Sequence, residues 1–395
     1  MSFAEFIALV ASPGDADVFP QGQDRPRKLK LLGRSRWPAC LCMAGIFLLA
    51  LRCMAQDSTN APSPGMARLV ARAQSGNARD EVKLGVALQF GQGLKADPAQ
   101  AAHWFLKAAN QGDLAAQTNI GFLYLSGYGV TRDEQEAFRW LQRAAVEDYA
   151  PAQAGLGYIL LSGLGVRQDR GRGVYWLARA AGHGFEAAEV NLGMLYARGA
   201  VVAQDQNTAL RWFRKAAKQH FPPAEFLLGT AYETGNGVKQ DFATAAYWYR
   251  RAAESNYPPA QNNLGALYRA GLGVPPDLHE ALRWYRLAAD QGSASASVNL
   301  ASAYSRGEGV ASDESAAYFY ALLAQPSQAD IDGEPIPKFI ERMRARLTRE
   351  EASRAEARVN EWRQNHPMNE QGWYLVKMAS GPCFISLSEI PVREK

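Results

Sequence analysis

Five histidines could hold a metal ion or carry a proton: His103, His183, His220, His279 and His366. A zinc site needs ligands at short fixed spacing, as in HExxH or a Cys/His cluster, and these five lie far apart at unrelated positions. Glycine-rich stretches such as GLGV at 271–274 could cradle a phosphate. A P-loop also needs a preceding strand and a following Lys, and here an Asp follows instead. Asp133 and Glu134 lack the spacing of a calcium loop. The sequence holds no GxSxG, and no carboxylate pair stands out for acid–base work. The expectation is a protein with no catalytic residue, no cofactor and no metal, and not an enzyme.

Any binding residue must be positioned by a repeat. Gly85, Gly121, Gly157, Gly193, Gly229 and Gly265 recur every 36 residues, with Ala301 closing the series. Trp104, Trp140, Trp176, Trp212, Trp248 and Trp284 recur at the same interval, with Tyr320 last. A fixed period of this length marks a stacked repeat architecture. Each unit reads as two helices, A and B. Ile120, Leu123 and Tyr124 fall on one face of helix A, and Gly121 admits a close neighbour. Helix A ends at Gly91, Gly127, Gly163, Gly199, Gly235, Gly271 or Gly307, where a left-handed residue is needed. Asp97, Asp133, Asp169, Asp205, Asp241, Asp277 and Asp313 are placed to cap helix B. Asp133 with Glu136, and Thr348 with Glu351, have capping-box spacing. The Trp of helix B is expected to be its large buried knob, with paired alanines such as Ala144-Ala145 as the receiving surface. A Trp at fixed spacing reads as core rather than as a sugar-stacking platform.

The matching residues are A-x-x-N-L-G-x-x-Y (Ala260 to Tyr268), G-x-G-V (Gly271 to Val274) and A-x-x-W-x-x-x-A-A (Ala281 to Ala289). Over about residues 65–325 the pattern resembles the Sel-one-like repeat family, a branch of the tetratricopeptide class. The resemblance implies an all-α, right-handed solenoid of αα-hairpins with a concave face lined by the A helices. It also implies a non-catalytic scaffold that binds a protein partner there. Asn119, Asn191, Asn263 and Asn299 would form a ladder clamping an extended peptide, or would tie each repeat to the next, because buried amides need partners. One position after the helix-A Tyr varies from copy to copy: Gln89, Leu125, Leu161, Ala197, Glu233, Arg269 and Ser305. It is expected to be exposed. Leu125, Leu161, Glu233 and Arg269 would then set partner choice.

The net charge is +4, and residues 1–55 carry seven Lys/Arg against four Asp/Glu, so the remainder is nearly neutral. That excludes a phosphate-tracking surface for nucleic acid. Residues 1–24 read as an over-long gene start. The basic run RPRKLKLLGRSR and the apolar stretch Trp37 to Leu51 then resemble a secretory signal ending near Cys53-Met54-Ala55. The expectation is a periplasmic or secreted bacterial protein; the alternative is an inner-membrane anchor at 37–54, which would be the only membrane contact. Cys40, Cys42 and Cys53 lie in that segment, leaving Cys383, so no disulfide framework is available.

The organisation reads as follows: leader 1–55, linker and half-repeat 56–76, seven repeats 77–325, capping helices 326–366 and a tail 367–395 that is either a strand or unstructured. Two rivals to the protein scaffold remain. An envelope polysaccharide or peptidoglycan binder would show exposed aromatics beyond the Trp series. A hydrolase would show a groove pocket with polar groups of mismatched pKa.

Overall fold

A computed structural model describes residues 63–199, 201–325 and 330–366. The expected leader, its cysteines and the 367–395 tail lie outside the described residues. An N-terminal half-unit, α1 (Pro64–Gln74), is followed by seven helical hairpins. Their A helices are α2 (Ala78–Phe90), α4 (Leu114–Ser126), α6 (Ala150–Ser162), α8 (Glu186–Arg198), α10 (Pro222–Thr234), α12 (Pro258–Ala270) and α14 (Ala294–Arg306). Their B helices are α3 (Pro98–Asn110), α5 (Glu134–Val146), α7 (Arg170–Gly182), α9 (Gln206–Ala217), α11 (Phe242–Glu254), α13 (Leu278–Ala289) and α15 (Glu314–Leu323). Each helix packs on the one before and the one after, as a one-dimensional solenoid requires. Among the described residues no helix is long and apolar enough to cross a membrane.

The stack ends in a cap: a short hairpin, β1 (Asp330–Ile331) and β2 (Glu334–Pro335), then α16 (Ile336–Arg346) and α17 (Arg349–Asn365). The two helices match the sequence reading, and the hairpin was not foreseen. Ala352, Ala355 and Val359 of α17 are buried against α15. Thr348 and Glu351 form the expected reciprocal capping box.

The local chemistry explains the boundaries. All seven Asp residues cap their B helices through side-chain bonds to backbone N–H groups. Asp133 does not complete a capping box. It accepts from the N–H groups of Gln135 and Glu136, while the Glu136 carboxylate turns outward to Arg139 at 2.5 Å.

The residue after the Trp, not the Trp, is the buried knob. Phe105, Leu141, Leu177, Phe213, Tyr249 and Tyr285 are all buried and sit over the helix-A glycines. A Cβ on Gly229 would lie 2.5 Å from the Tyr249 ring, and one on Gly193 2.6 Å from Phe213. The seventh copy reverses the fit, with Ala301 in place of Gly and Ala321 as the smaller knob, both fully buried. Only Trp140 and Trp284 fall in the buried class; the other four are half-buried. Each carries a cation over its ring, from Arg283 at 4.2 Å from Trp284 to Arg179 at 5.5 Å from Trp176.

A buried polar column runs through the stack at the same period: Glu81, Gln117, Gln153, Glu189, Glu225, Gln261 and Ser297. Gln117, Gln153 and Gln261 donate to the carbonyls of Ala109, Ala145 and Ala253, at the end of the preceding B helix. The three glutamates instead meet a base from their own B helix: Glu81 with Lys107 at 2.9 Å, Glu189 with Lys215 at 2.8 Å and Glu225 with Arg251 at 2.7 Å. Lys107 and Lys215 also donate to Ala73 and Ala181 carbonyls one repeat back. Repeats are thus joined by buried polar contacts as well as by apolar ones, although Gln117 Oε1 and Gln153 Oε1 have no hydrogen-bond partner among the described residues.

Two predictions follow from this packing. Gly273 has φ +70, and a Cβ there would lie 2.1 Å from the Phe242 carbonyl carbon; Gly112 has φ +90 with open space around it. Gly273→Ala should cost about 3 kcal/mol or more, and Gly112→Ala about 1–2 kcal/mol, in urea unfolding. Burial raises the Glu225 carboxyl above its ordinary value near 4.5, and Arg251 pulls it partly back. A raised folded value means the stability contribution is full below 4.5 and falls as pH rises through the folded value. Glu225→Gln should remove that fall, so its urea midpoint relative to wild type should climb from pH 4 to pH 7. A pH-independent difference would overturn the assignment.

Candidate partner-binding surface

The A helices change character along the stack. In α6 every residue from Ala152 to Leu161 is buried, and α4 and α8 are nearly as enclosed. Phe122 of α4 closes onto Gly155 of α6, where a Cβ would lie 3.0 Å from its ring. From α10 onward the same phases open to solvent. Thr230, Glu233, Asn262, Asn263 and Asn299 are half-buried and Arg269 is exposed.

The expected site residues therefore divide. Leu125 and Leu161 are 3% and 1% exposed, which corrects the expectation of a free surface position. They fill the core because α4 and α6 are mostly apolar and are packed on nearly every side. Asn119 and Asn191, at 8% and 5%, are buried too. Asn119 Nδ2 has no hydrogen-bond partner among the described residues. These four do not meet Asn263, Asn299, Glu233 and Arg269 on one exposed ladder.

The second group is joined. Asn299 Nδ2 donates to Asn262 Oδ1 at 2.9 Å, and Asn262 Nδ2 donates to Asn263 Oδ1 at 3.3 Å. Asn263 Nδ2 reaches the Tyr249 hydroxyl at 3.2 Å, which itself donates to Glu233 Oε2 at 2.5 Å. Thr230 Oγ1 lies 3.1 Å from the same hydroxyl. One network thus crosses repeats five, six and seven. Asn263 and Asn299 thus join one repeat to the next at the surface; the buried Asn119 does not do so through its Nδ2.

The variable position obeys a rule that runs through the knob. Where the knob is Phe or Leu, the variable residue is uncharged: Gln89, Leu125, Leu161 and Ala197. Where the knob is Tyr, it is charged. Tyr249 passes over Gly229 and hands its hydroxyl to Glu233; Tyr285 passes over Gly265 and bonds Arg269. Burial, reinforced by the Glu233 carboxylate, holds the Tyr249 phenol far above its ordinary value. Burial likewise lifts Tyr285 to about 12, with Arg269 opposing. Arg269 also reaches Glu308 at 3.2 Å across to the next repeat.

Sequence reasoning missed both Asn262 and the two tyrosines. The available signal was the pairing of a Tyr knob with a charged residue in the same repeat. Among the described residues no cluster of three or more His, Cys, Asp or Glu could hold a metal ion.

Comparison with known proteins decides the family. The Sel1 repeat model matches residues 80–113, 114–145, 150–185, 186–221, 222–257, 258–293 and 294–324. The chain belongs to the Sel1 repeat family. Two solved structures share its fold. A protective antigen present in uropathogenic Escherichia coli strains, displaying an SLR fold, is 28% identical with a TM-score of 0.59, over 75% of this chain and 63% of that one. A Sel1 repeat protein from Oxalobacter formigenes is 32% identical with a TM-score of 0.57, over 63% of this chain and 99% of that one. This Sel1 chain therefore spans less than two thirds of the length of the E. coli antigen. No curated protein matches it. Sel1 repeat proteins are typically non-catalytic scaffolds that bind protein partners.

The network should show measurable coupling. Tyr249→Phe is expected to cost about 1–2 kcal/mol, because Glu233 and Asn263 each lose a partner. In a Glu233→Ala background the same change should cost less, giving an interaction energy of about 1 kcal/mol in a double-mutant cycle. Strict additivity would separate the two residues.

Proposed function

We propose that this Sel1 repeat chain is a scaffold of the bacterial envelope that holds a protein partner on the A face of repeats five to seven. The observation that carries the reading is the change of that face from dry core to open polar surface at α10. Glu233, Asn262, Asn263, Arg269 and Asn299 offer donors and acceptors on rigid helices, and their mutual bonds hold them in place before a partner arrives. Preorganisation of this kind lowers the entropy lost on binding. The footprint excludes Leu125, Leu161, Asn119 and Asn191, which the folded chain encloses.

The envelope assignment rests on the basic-then-apolar run at 25–55, which has the order of an export signal. It supports a periplasmic or secreted protein ahead of one anchored at 37–54, because the apolar run is shorter than the roughly 20 residues of a membrane span.

The test compares the wild-type chain with Arg269→Glu and Asn299→Arg variants, each immobilised and challenged with detergent-solubilised envelope extract of the source bacterium. A protein retained by the wild type and lost by at least tenfold from both variants supports the reading. Arg269→Glu also sets a carboxylate against Glu308, so the comparison counts only variants that keep a cooperative thermal unfolding transition. Equal retention by all three chains moves the site elsewhere.

A further inference from the structure

The residue just before each Trp alternates in type along the stack. It is His103, Arg139, Tyr175, Arg211, Tyr247 and Arg283 in repeats one to six: aromatic in odd copies, Arg in even ones. All six are exposed; Tyr175 and Tyr247 expose 52% and 50% of their surface. In repeat seven the position is Phe319, buried at 7% with Arg358 of the cap over its ring at 4.4 Å. The open column therefore stops where the cap begins.

Packing does not account for the alternation. All six side chains are exposed, and the position swaps an aromatic ring for a guanidinium at every step. The rings are held in a defined pose. Tyr175 stands edge-to-face on Trp176 (5.4 Å, 74°) and Tyr247 on Trp248 (5.1 Å, 74°), while His103 does the same on Trp104 (5.6 Å, 78°). Arg251 also donates to the Tyr247 hydroxyl at 3.3 Å. Counted with their capping Asp residues, α3, α5, α7, α9, α11 and α13 carry thirteen Lys/Arg against ten Asp/Glu, and the basic excess lies C-terminal to the column, where Lys107, Arg143, Arg179, Arg214, Arg250 and Arg286 flank it.

We infer that this B-helix column is a docking surface for a linear carboxylated polysaccharide. A receptor that repeats one chemistry at a fixed step is matched by a polymer that does the same. Helix packing sets that step at roughly 10 Å per repeat. Half-exposed rings suit the apolar faces of sugars, and guanidinium forks take carboxylates in bidentate fashion. The basic excess selects an anionic polymer. Its strength is moderate, because Arg139 and Arg283 share charge with Glu136 and Glu280, and Lys107, Lys215 and Arg251 face buried glutamates. That favours a glycan with spaced carboxylates over a nucleic acid with a phosphate at every unit. The surface is separate from the A face, so either proposal can fail alone.

The test uses the full chain and polygalacturonate as probe, with neutral dextran, poly-L-glutamate and single-stranded DNA as comparators, in affinity electrophoresis or biolayer interferometry. Wild type should bind polygalacturonate, more weakly as salt rises, and should ignore dextran. The Tyr175→Ser/Tyr247→Ser double variant should bind at least tenfold more weakly with an unchanged far-ultraviolet spectrum and melting curve, and Arg211→Gln should weaken binding too. Arg269→Glu should bind as wild type does. The inference is overturned if polygalacturonate does not bind, or if the double variant binds as well as wild type. It is equally overturned if poly-L-glutamate or DNA binds as tightly, since charge alone would then explain the effect.

Discussion

The contact on which the structure depends is the one between the helix-A glycine and the B-helix residue that lies over it. A side chain at Gly229, Gly193 or Gly85 would enter the space of Tyr249, Phe213 or Phe105 at 2.5, 2.6 and 2.7 Å. The hairpin can close to this distance only because one partner has no Cβ. The crossing of A on B is thereby set identically in each repeat, and identical units stack into a solenoid. The seventh hairpin shows that fit matters more than identity. Ala301 fills the space that glycine leaves elsewhere, and Ala321 withdraws by a comparable amount.

The same contact connects the core to the surface. A knob that reaches across helix A delivers its far end to the other side of that helix. A Phe or Leu knob delivers only hydrocarbon, and the neighbouring residues are then uncharged. A Tyr knob delivers a hydroxyl, and Glu233 and Arg269 meet it. The charged face of the C-terminal repeats is therefore supported from beneath by buried phenols. The Glu/Gln column performs a different task. Gln117, Gln153 and Gln261 tie the first turn of their helix A to the last carbonyls of the preceding unit, and Glu81 and Glu189 do so through a Lys that reaches back to them. Buried charge is a costly way to do this unless it is well paired, which is why each glutamate has its own Lys or Arg.

Most of the scaffold was legible in the sequence. The period, the Asp caps, the left-handed glycines that end each helix A, and the capping helices all stand in the structure. These are local signals, and local rules place them. The knob was misread because two large residues are adjacent on helix B, and only the fold shows which one points at the glycine. The constant Trp drew attention, while the variable residue after it is the buried one. Leu125 and Leu161 were misplaced for a related reason. Variation between copies is not freedom from packing here; it follows a partner that also varies. The near-continuous apolar makeup of LAAQTNIGFLYLS and APAQAGLGYILLS already indicated helices enclosed on all sides. The buried Glu/Gln column was visible as spacing, but side chains of this type are normally read as surface.

The graded A face limits what the scaffold can do. A solenoid whose inner surface were open throughout could spread a partner over all seven repeats. Here α6 is enclosed from Ala152 to Leu161, and α4 and α8 open little more than their ends, so they offer few side chains for such a contact. A partner on the A face is confined to three repeats, roughly 30 Å of surface at one helix-packing distance per unit. That length suits a standard protein–protein footprint rather than the encirclement of a long extended chain. Within it, the anchors are polar groups already bonded to one another. Binding must exchange some of those bonds for new ones, so net affinity depends on geometric match more than on buried area. On the proposed reading, the partner would be selected by the short set of residues that the tyrosine knobs present.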